Sequence, residues 1–283
     1  MSRTPEINQD ELRRQAAEID AEHRQAMPKL RDALARIFGG GTELSEDERA
    51  RAVIGMDRRS ALRLGGVVLL GGAVMAACGS DNSGSSSSAT TAGAATTGAT
   101  TATTAAPSAT TAAARATGDV TILRTASSIE ELAVAAYQTA IDSGLVKTAA
   151  IADAAKLFQS QHKEHSASFQ AATKAAGGQP FTMPNPAVLA AIKPMVDALK
   201  DEKGVVALAF ELETAAAQSY QSYVGTFTDP RLNPAIMAVG GVEARHAAVL
   251  AQVLGSLGDT SAMAVPKAFQ VTEKAVMAGT GVR

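Results

Sequence analysis

The stretch GVEARHAAVL, residues 241–250, places Glu243 and His246 three residues apart in a sequence whose only other polar side chain is Arg245. Apolar residues around it recur every three to four positions, which predicts an amphipathic helix. Both ionisable side chains fall on the apolar stripe itself, which reads Ile236, Val239, Glu243, His246, Leu250, Val253. An unpaired charge is costly in a core. The sequence therefore predicts a shared partner for these two groups inside the fold.

Two earlier segments carry a carboxylate on their apolar stripe in the same way. Glu130 and Tyr137 lie seven residues apart on one of them, and Glu213 and Tyr220 repeat that spacing on the other. The order of Glu, Tyr and then a pair of ligand-type residues at i, i+3 thus occurs twice. We interpret this as an internal duplication, which would place the two halves around one approximately symmetric site.

His162 and His165 form the i, i+3 pair of the remaining segment. Side chains at this spacing lie on one helix face and can reach one centre. Carboxylate oxygen and neutral imidazole nitrogen both suit iron, manganese or zinc. The four segments therefore predict a divalent metal site in the core, with these candidate ligands: Glu130, His162, His165, Glu213, Glu243 and His246.

The helical periodicity predicts an all-α fold, and we see no strand-like alternation of useful length. Four long helices are expected at about 120–143, 148–176, 202–226 and 234–257. A proline-rich crossover with a short helix lies between the second and the third. Helices of this length favour a four-helix bundle over a mixed globule. The tail at 259–283 could pack against the bundle and shows no chemistry of its own.

The stretches SSIEELAVAAY, FELETAAAQSY and GVEARHAAVL are similar to those of bacterial ferritin-like proteins related to rubrerythrin. The resemblance covers about residues 119–258 and implies an up-down four-helix bundle with a long crossover between helices 2 and 3. Di-iron members of this fold use one Glu from each of two helices and a Glu-x-x-His from each of the other two. The resemblance implies the metal ligands Glu130, His165, Glu213, Glu243 and His246, with Glu243 bridging and with Tyr137 and Tyr220 beside the ligands.

His162 is a departure from this family pattern, because a bridging Glu is expected at its position. A carboxylate can hold two metals, whereas a neutral imidazole binds one. Glu164 does not replace it, since it lies about 200° round the helix from position 162. The site is therefore expected to hold either two iron ions or one ion, with zinc or manganese as alternatives to iron.

Three functions follow from these observations. The resemblance implies an iron-binding protein that, if enzymatic, is a di-iron oxidoreductase oxidising ferrous iron or reducing peroxide. The alternatives are a ferritin-like envelope module without redox activity and a mononuclear zinc or manganese protein. The net charge is −2, so no overall field favours nucleic acid as a partner. The oligomeric state stays open.

Residues 56–78 resemble an export signal. Arg58 and Arg59 precede a glycine-diluted apolar run at 64–77, which as a helix would span only about 21 Å and is a poor permanent anchor. The paired arginines resemble a twin-arginine (Tat) signal, and the run then ends at Cys78 in a sequence resembling a lipoprotein box. We therefore expect export by the Tat machinery and a lipid anchor on the outer face of the cytoplasmic membrane.

Two segments flank this signal. Residues 1–55 form a charged helical extension, or else a gene-model artefact if translation begins at Met56. Pro28 predicts two short helices or one kinked helix there. His23 is interpreted as a solvated surface residue. Residues 79–118 are nearly all Ser, Thr, Ala and Gly, a composition that predicts a disordered tether.

Overall fold

The computed structural model describes residues 7–38, 109–263 and 271–282. Within these ranges every regular element is helical, which confirms the all-α prediction. The elements are α1 (Gln9–Phe38), α2 (Ala109–Asp142), α3 (Ala149–Ala175), α4 (Pro186–Asp197), α5 (Glu202–Tyr223), α6 (Leu232–Ser256) and a 3₁₀ turn (Thr260–Met263).

Helices α2, α3, α5 and α6 form the predicted bundle. Helix α2 packs along α3, and α5 packs along α6. The short connections within each pair make the partners antiparallel. Helix α4 lies in the long crossover between α3 and α5, where the side chain of Asn185 accepts hydrogen bonds from the first backbone N–H groups of α4. Gly177, at φ +80°, ends α3 in the left-handed region that favours glycine.

The core consists of two apolar clusters with a polar layer between them. Phe169 and Ile236 belong to one cluster, and Phe158 and Leu250 belong to the other. On α3 the two histidines lie between positions 158 and 169, and on α6 the Glu-x-x-His pair lies between positions 236 and 250. The predicted ligands therefore share one level of the bundle, surrounded by apolar packing on both sides.

Helix α1 is one continuous helix that passes through Pro28 and packs across α3 and α6. Its buried residues recur every three or four positions: Leu12, Ala16, Ile19, His23, Met27, Leu30 and Leu34. The interpretation of His23 as a solvated residue is wrong, because its side chain is 1% exposed. His23 lies on the apolar stripe of α1, and docking that stripe onto the bundle removes it from water.

Several sequence predictions lie outside the described residues: Arg58, Arg59, Cys78 and the segment 79–108. The last part of the predicted tether differs from the expectation, since α2 already begins at Ala109. No helix in the described part of the chain is long and apolar enough to cross a bilayer.

The C-terminal tail packs against the bundle over residues 271–282. The Tyr223 hydroxyl donates to the carbonyl of Val276 at 2.5 Å, and the Val276 N–H donates to Ser219 Oγ at 2.7 Å. These contacts fix the tail along α5, and none of them involves the predicted metal ligands.

Candidate metal centre

The six predicted ligands converge in the polar layer, and none is more than 2% exposed. They form two overlapping groups of four, and within each group the ligand atoms lie within 4.8 Å of one another. His162 and Glu243 belong to both groups. The first group, here the Glu130 group, is completed by Glu130 and His165, and the second, here the Glu213 group, by Glu213 and His246.

Glu243 lies between the two groups. Its Oε1 is 2.9 Å from His165 Nδ1, and its Oε2 is 3.1 Å from His246 Nδ1. One carboxylate thus faces a histidine of each group, an arrangement that is compatible with a bridging ligand. The i, i+3 spacing on α6 brings Glu243 and His246 onto one helix face.

His162 contacts the carboxylates of both groups. Its Nδ1 is 2.6 Å from Glu130 Oε2, and its Nε2 is 3.1 Å from Glu213 Oε1. Two carboxylates accept from both ring nitrogens only when the ring is an imidazolium. Burial lowers the pKa of His162, but the charges of Glu243, Glu213 and Glu130 outweigh burial and hold that pKa well above its usual value. A cationic His162 therefore balances carboxylate charge where the family pattern has another carboxylate.

The two tyrosines connect the halves of the bundle reciprocally. The Tyr137 hydroxyl donates to Glu213 Oε1 at 2.5 Å, and the Tyr220 hydroxyl donates to Glu130 Oε1. Burial, together with these carboxylates, raises both tyrosine pKa values well above the usual range. Both phenols therefore stay protonated and orient one carboxylate each, in agreement with the predicted duplication.

His165 and His246 each face the carboxylates through Nδ1. The Nε2 atom of each ring contacts a residue that belongs to neither ligand group. His246 Nε2 donates to Gln161 Oε1 at 2.7 Å, and His165 Nε2 lies 3.2 Å from His23 Nε2. The sequence prediction missed both Gln161 and His23. His23 could have been identified from its position on the apolar stripe of α1. Nothing in the sequence identifies Gln161, because a glutamine next to a histidine pair is common in helices.

The charges of the centre shift several pKa values. Burial would raise the pKa of Glu130, but His165 and His162 lower it to about 2. Burial would lower the pKa of His165, but Glu130 and Glu243 raise it to about 9. Burial, reinforced by the neighbouring histidines, lowers the pKa of His23 to about 3. Glu130 is thus ionised at neutral pH, while His23 is neutral.

Three ligand atoms lack a hydrogen bond although they are buried: His165 Nδ1, Glu213 Oε2 and Glu243 Oε1. His165 Nδ1 and Glu243 Oε1 approach within 2.9 Å without hydrogen-bond geometry. A cation in each group would satisfy all three, since His165 belongs to the Glu130 group and Glu213 to the Glu213 group. Two ligands on opposite sides of one ion of this class lie up to about 4.4 Å apart, because each sits about 2.0–2.2 Å from the ion. The separations of up to 4.8 Å within each group are close to this distance, so small side-chain shifts bring the ligand atoms onto one ion. The residues present therefore fit a divalent metal in each group.

An apolar cavity of about 130 Å³ lies beside the centre. His162, Glu213 and Tyr137 line one part of it, and apolar side chains that include Leu189 and Ile192 of α4 line another. The crossover helix thus covers an apolar space next to the ligands that the two halves of the bundle provide.

Residues 118–256 match a family model described as a ferritin-like domain. No curated protein and no solved structure matches the chain. The matched range contains all six ligand positions and all four bundle helices apart from the first turns of α2, and it excludes α1. The buried carboxylate and histidine cluster at mid-height of the bundle agrees with that match. Residues 118–256 of this chain therefore form a ferritin-like domain.

Proposed function

We propose that the ferritin-like domain binds iron at two unequal sites that share Glu243, and that this iron is oxidised by peroxide or dioxygen. The observation that supports the proposal best is the pair of overlapping groups of buried ligand-type atoms, three of which have no hydrogen-bond partner. Mixed carboxylate and imidazole ligands suit iron, and they also suit manganese and zinc. His162, which is cationic in the metal-free centre, must lose one proton to act as a ligand. The sites are unequal because the neutral ring then offers one lone pair and serves one ion.

Two ferrous ions would supply two electrons, which together with two protons reduce one hydrogen peroxide to two waters. The residues of the chain would orient the ligands and exclude water from the site. Tyr137 and Tyr220 fix one carboxylate each through their hydroxyl groups. Phe158 is fully buried and stacks on the ring of His246 with 3.9 Å between ring centroids, so it restricts that ring and excludes water. The apolar cavity beside His162 offers space for a small oxidant.

Metal titration of the full chain tests this proposal. The wild type is expected to bind about two ferrous ions under anaerobic conditions, the second more weakly, with manganese and zinc measured in parallel. Glu213→Gln and Glu130→Gln should each retain one ion, because each removes a ligand from one group only. Adding peroxide to the iron-loaded wild type should oxidise two ferrous ions per peroxide consumed.

Glu211→Gln is the matched control for Glu213→Gln. Glu211 lies on the same helix, but it is partly exposed and pairs with Lys274. This variant should bind iron as the wild type does. Absence of iron, manganese and zinc from the wild type under all conditions would contradict the metal proposal. Iron that binds but is oxidised neither by peroxide nor by dioxygen would contradict the redox step.

A ferritin-like module without redox activity is the second candidate function. His162 favours it, since its two hydrogen bonds to Glu130 and Glu213 neutralise carboxylate charge without a metal. A centre of this kind would remain folded and empty in the titration. A mononuclear zinc or manganese protein would instead bind one such ion and leave peroxide unchanged.

The segment around Arg58, Arg59 and Cys78 supports a further part of the proposal, namely Tat export and a lipid anchor at the cell envelope. Full-length protein should partition into the membrane fraction, and globomycin should cause an unprocessed form to accumulate. Cys78→Ala should lose the anchor, whereas replacement of both arginines by lysine should block export. A wild-type protein that stays in the cytoplasmic fraction would contradict this part alone.

A further inference from the structure

Helix α1 adds a fifth helix to the metal centre from outside the matched family range. Its apolar stripe joins both core clusters, with Leu12 and Ile19 in one and Leu30 and Leu34 in the other. His23 lies between these positions, at the level of the polar layer of the bundle. A polar side chain interrupts the apolar stripe where α1 crosses the candidate ligands.

Ion pairs fix α1 in this position on both of the helices beneath it. Arg31 contacts Glu164 of α3 at 2.8 Å, and Glu22 contacts Arg245 of α6 at 2.8 Å. Glu164 lies on a different face of α3 from His162, and its side chain reaches α1 instead of the candidate ligands. These pairs lie on either side of His23 along α1, and each joins α1 to one of the two helices beneath it.

The ring of His23 contacts the ring of His165, and the two Nε2 atoms are 3.2 Å apart. His165 turns its Nδ1 towards Glu243 and Glu130. A neutral imidazole has one protonated nitrogen and one lone pair. If the Nδ1 lone pair of His165 binds metal, its proton lies on Nε2 and is donated to the Nε2 lone pair of His23.

The other half of the centre uses the same arrangement. Gln161 Oε1 accepts from His246 Nε2 at 2.7 Å, and His246 Nδ1 faces Glu243 and Glu213. Metal-binding histidines are usually held in this way through the nitrogen that does not bind metal, which fixes the tautomer and the ring orientation. His23 thus has the role towards His165 that Gln161 has towards His246.

We propose that His23 is a positioning residue for the metal ligand His165, so that α1 completes the metal centre. This inference depends on metal binding at the Glu130 group, as proposed above. Holding the ring of His165 with Nδ1 towards the carboxylates fixes a ligand that could otherwise rotate. His23 itself does not bind the ion.

The test uses full-length chains, with cobalt(II) as the probe metal. In a Glu213→Gln background, where the Glu130 group alone remains complete, His23→Leu should weaken cobalt affinity by about 10- to 100-fold. His23→Gln should restore affinity to within a few-fold, because its amide oxygen can accept from His165 as Gln161 does from His246. The visible absorption bands of bound cobalt should change in His23→Leu and return in His23→Gln.

Two controls separate positioning from packing. In a Glu130→Gln background His23→Leu should leave cobalt affinity at the Glu213 group unchanged, and Arg24→Gln, on the exposed face of α1, should change neither group. Unchanged affinity in His23→Leu, or equal losses in the Leu and Gln variants with lower apoprotein melting temperatures, would overturn the positioning role. A parent chain that binds no cobalt would overturn the metal proposal, and this inference with it.

Discussion

Replacing Glu243 by glutamine should abolish tight metal binding at both groups. Glu243 is the one carboxylate that the two groups share, and its oxygens face His165 Nδ1 and His246 Nδ1. The amide keeps the shape of the side chain but removes the charge and one of the two facing oxygens. The expected loss of metal affinity exceeds the about 10- to 100-fold loss that follows removal of a residue hydrogen-bonded to a metal ligand.

Metal titration by calorimetry and elemental analysis after gel filtration would measure this loss. The Glu211→Gln control should bind as the wild type does, and circular dichroism should show equal helix content in both variants. Retention of one tightly bound ion in Glu243→Gln would show that the groups are independent, and would contradict the bridging role of Glu243.

The metal-free protein should be most stable near pH 6.5 and lose stability on both sides of it. The pKa of His165 is raised to about 9, and the pKa values of His162 and His246 are also raised, so the folded state holds protons that the unfolded chain releases. Their contribution is complete below pH 6.5 and is lost as the pH rises to 9. His165 alone corresponds to about 3 kcal/mol.

The acid side has the opposite cause. The pKa of Glu130 is lowered to about 2, so its contribution disappears as the pH falls from 4.5 towards 2. The pKa of His23 is lowered to about 3, so below pH 6.5 the unfolded chain binds a proton that the folded chain does not. Both effects reduce the free energy of unfolding as the pH falls.

Urea unfolding in the presence of a chelator at pH 5, 6.5, 7.5 and 9 would test this profile. His165→Gln is the informative variant, because it should decrease the loss of stability between pH 6.5 and 9. A free energy of unfolding that stays constant from pH 6.5 to 9 in the wild type would contradict the assignment of protonated histidines to the metal-free centre.

The bundle and the six candidate metal ligands could be predicted because they follow local rules. Two residues that are three or seven positions apart lie on the same face of a helix, so ligand-type residues at these spacings on an apolar stripe face the core together. Glu130, Glu213 and Glu243 were found in this way, and the structure brings them together. The helix ends were less accurate, as the start of α2 at Ala109 shows, because alanine and threonine carry little information about where a helix begins.

The fifth helix could not be placed from the same rules. Periodicity identifies the apolar face of α1 but not the surface that the face will cover, and a long segment separates α1 from the bundle. The many charged residues on its other face favoured a solvated interpretation. His23 was misassigned because its neighbours in sequence are polar, whereas its neighbours in space are the ligands of α3.

The position of α1 along the chain would link the proposed export processing to the composition of the proposed metal centre. His23 precedes Arg58 and Arg59, whereas His165 follows Cys78. A precursor carries both histidines, but cleavage before Cys78 would divide them between two molecules, and a product translated from Met56 would never contain His23. The anchored form would then have His165 Nε2 open to water or to another acceptor. Processing of this chain would therefore change the metal centre as well as its location.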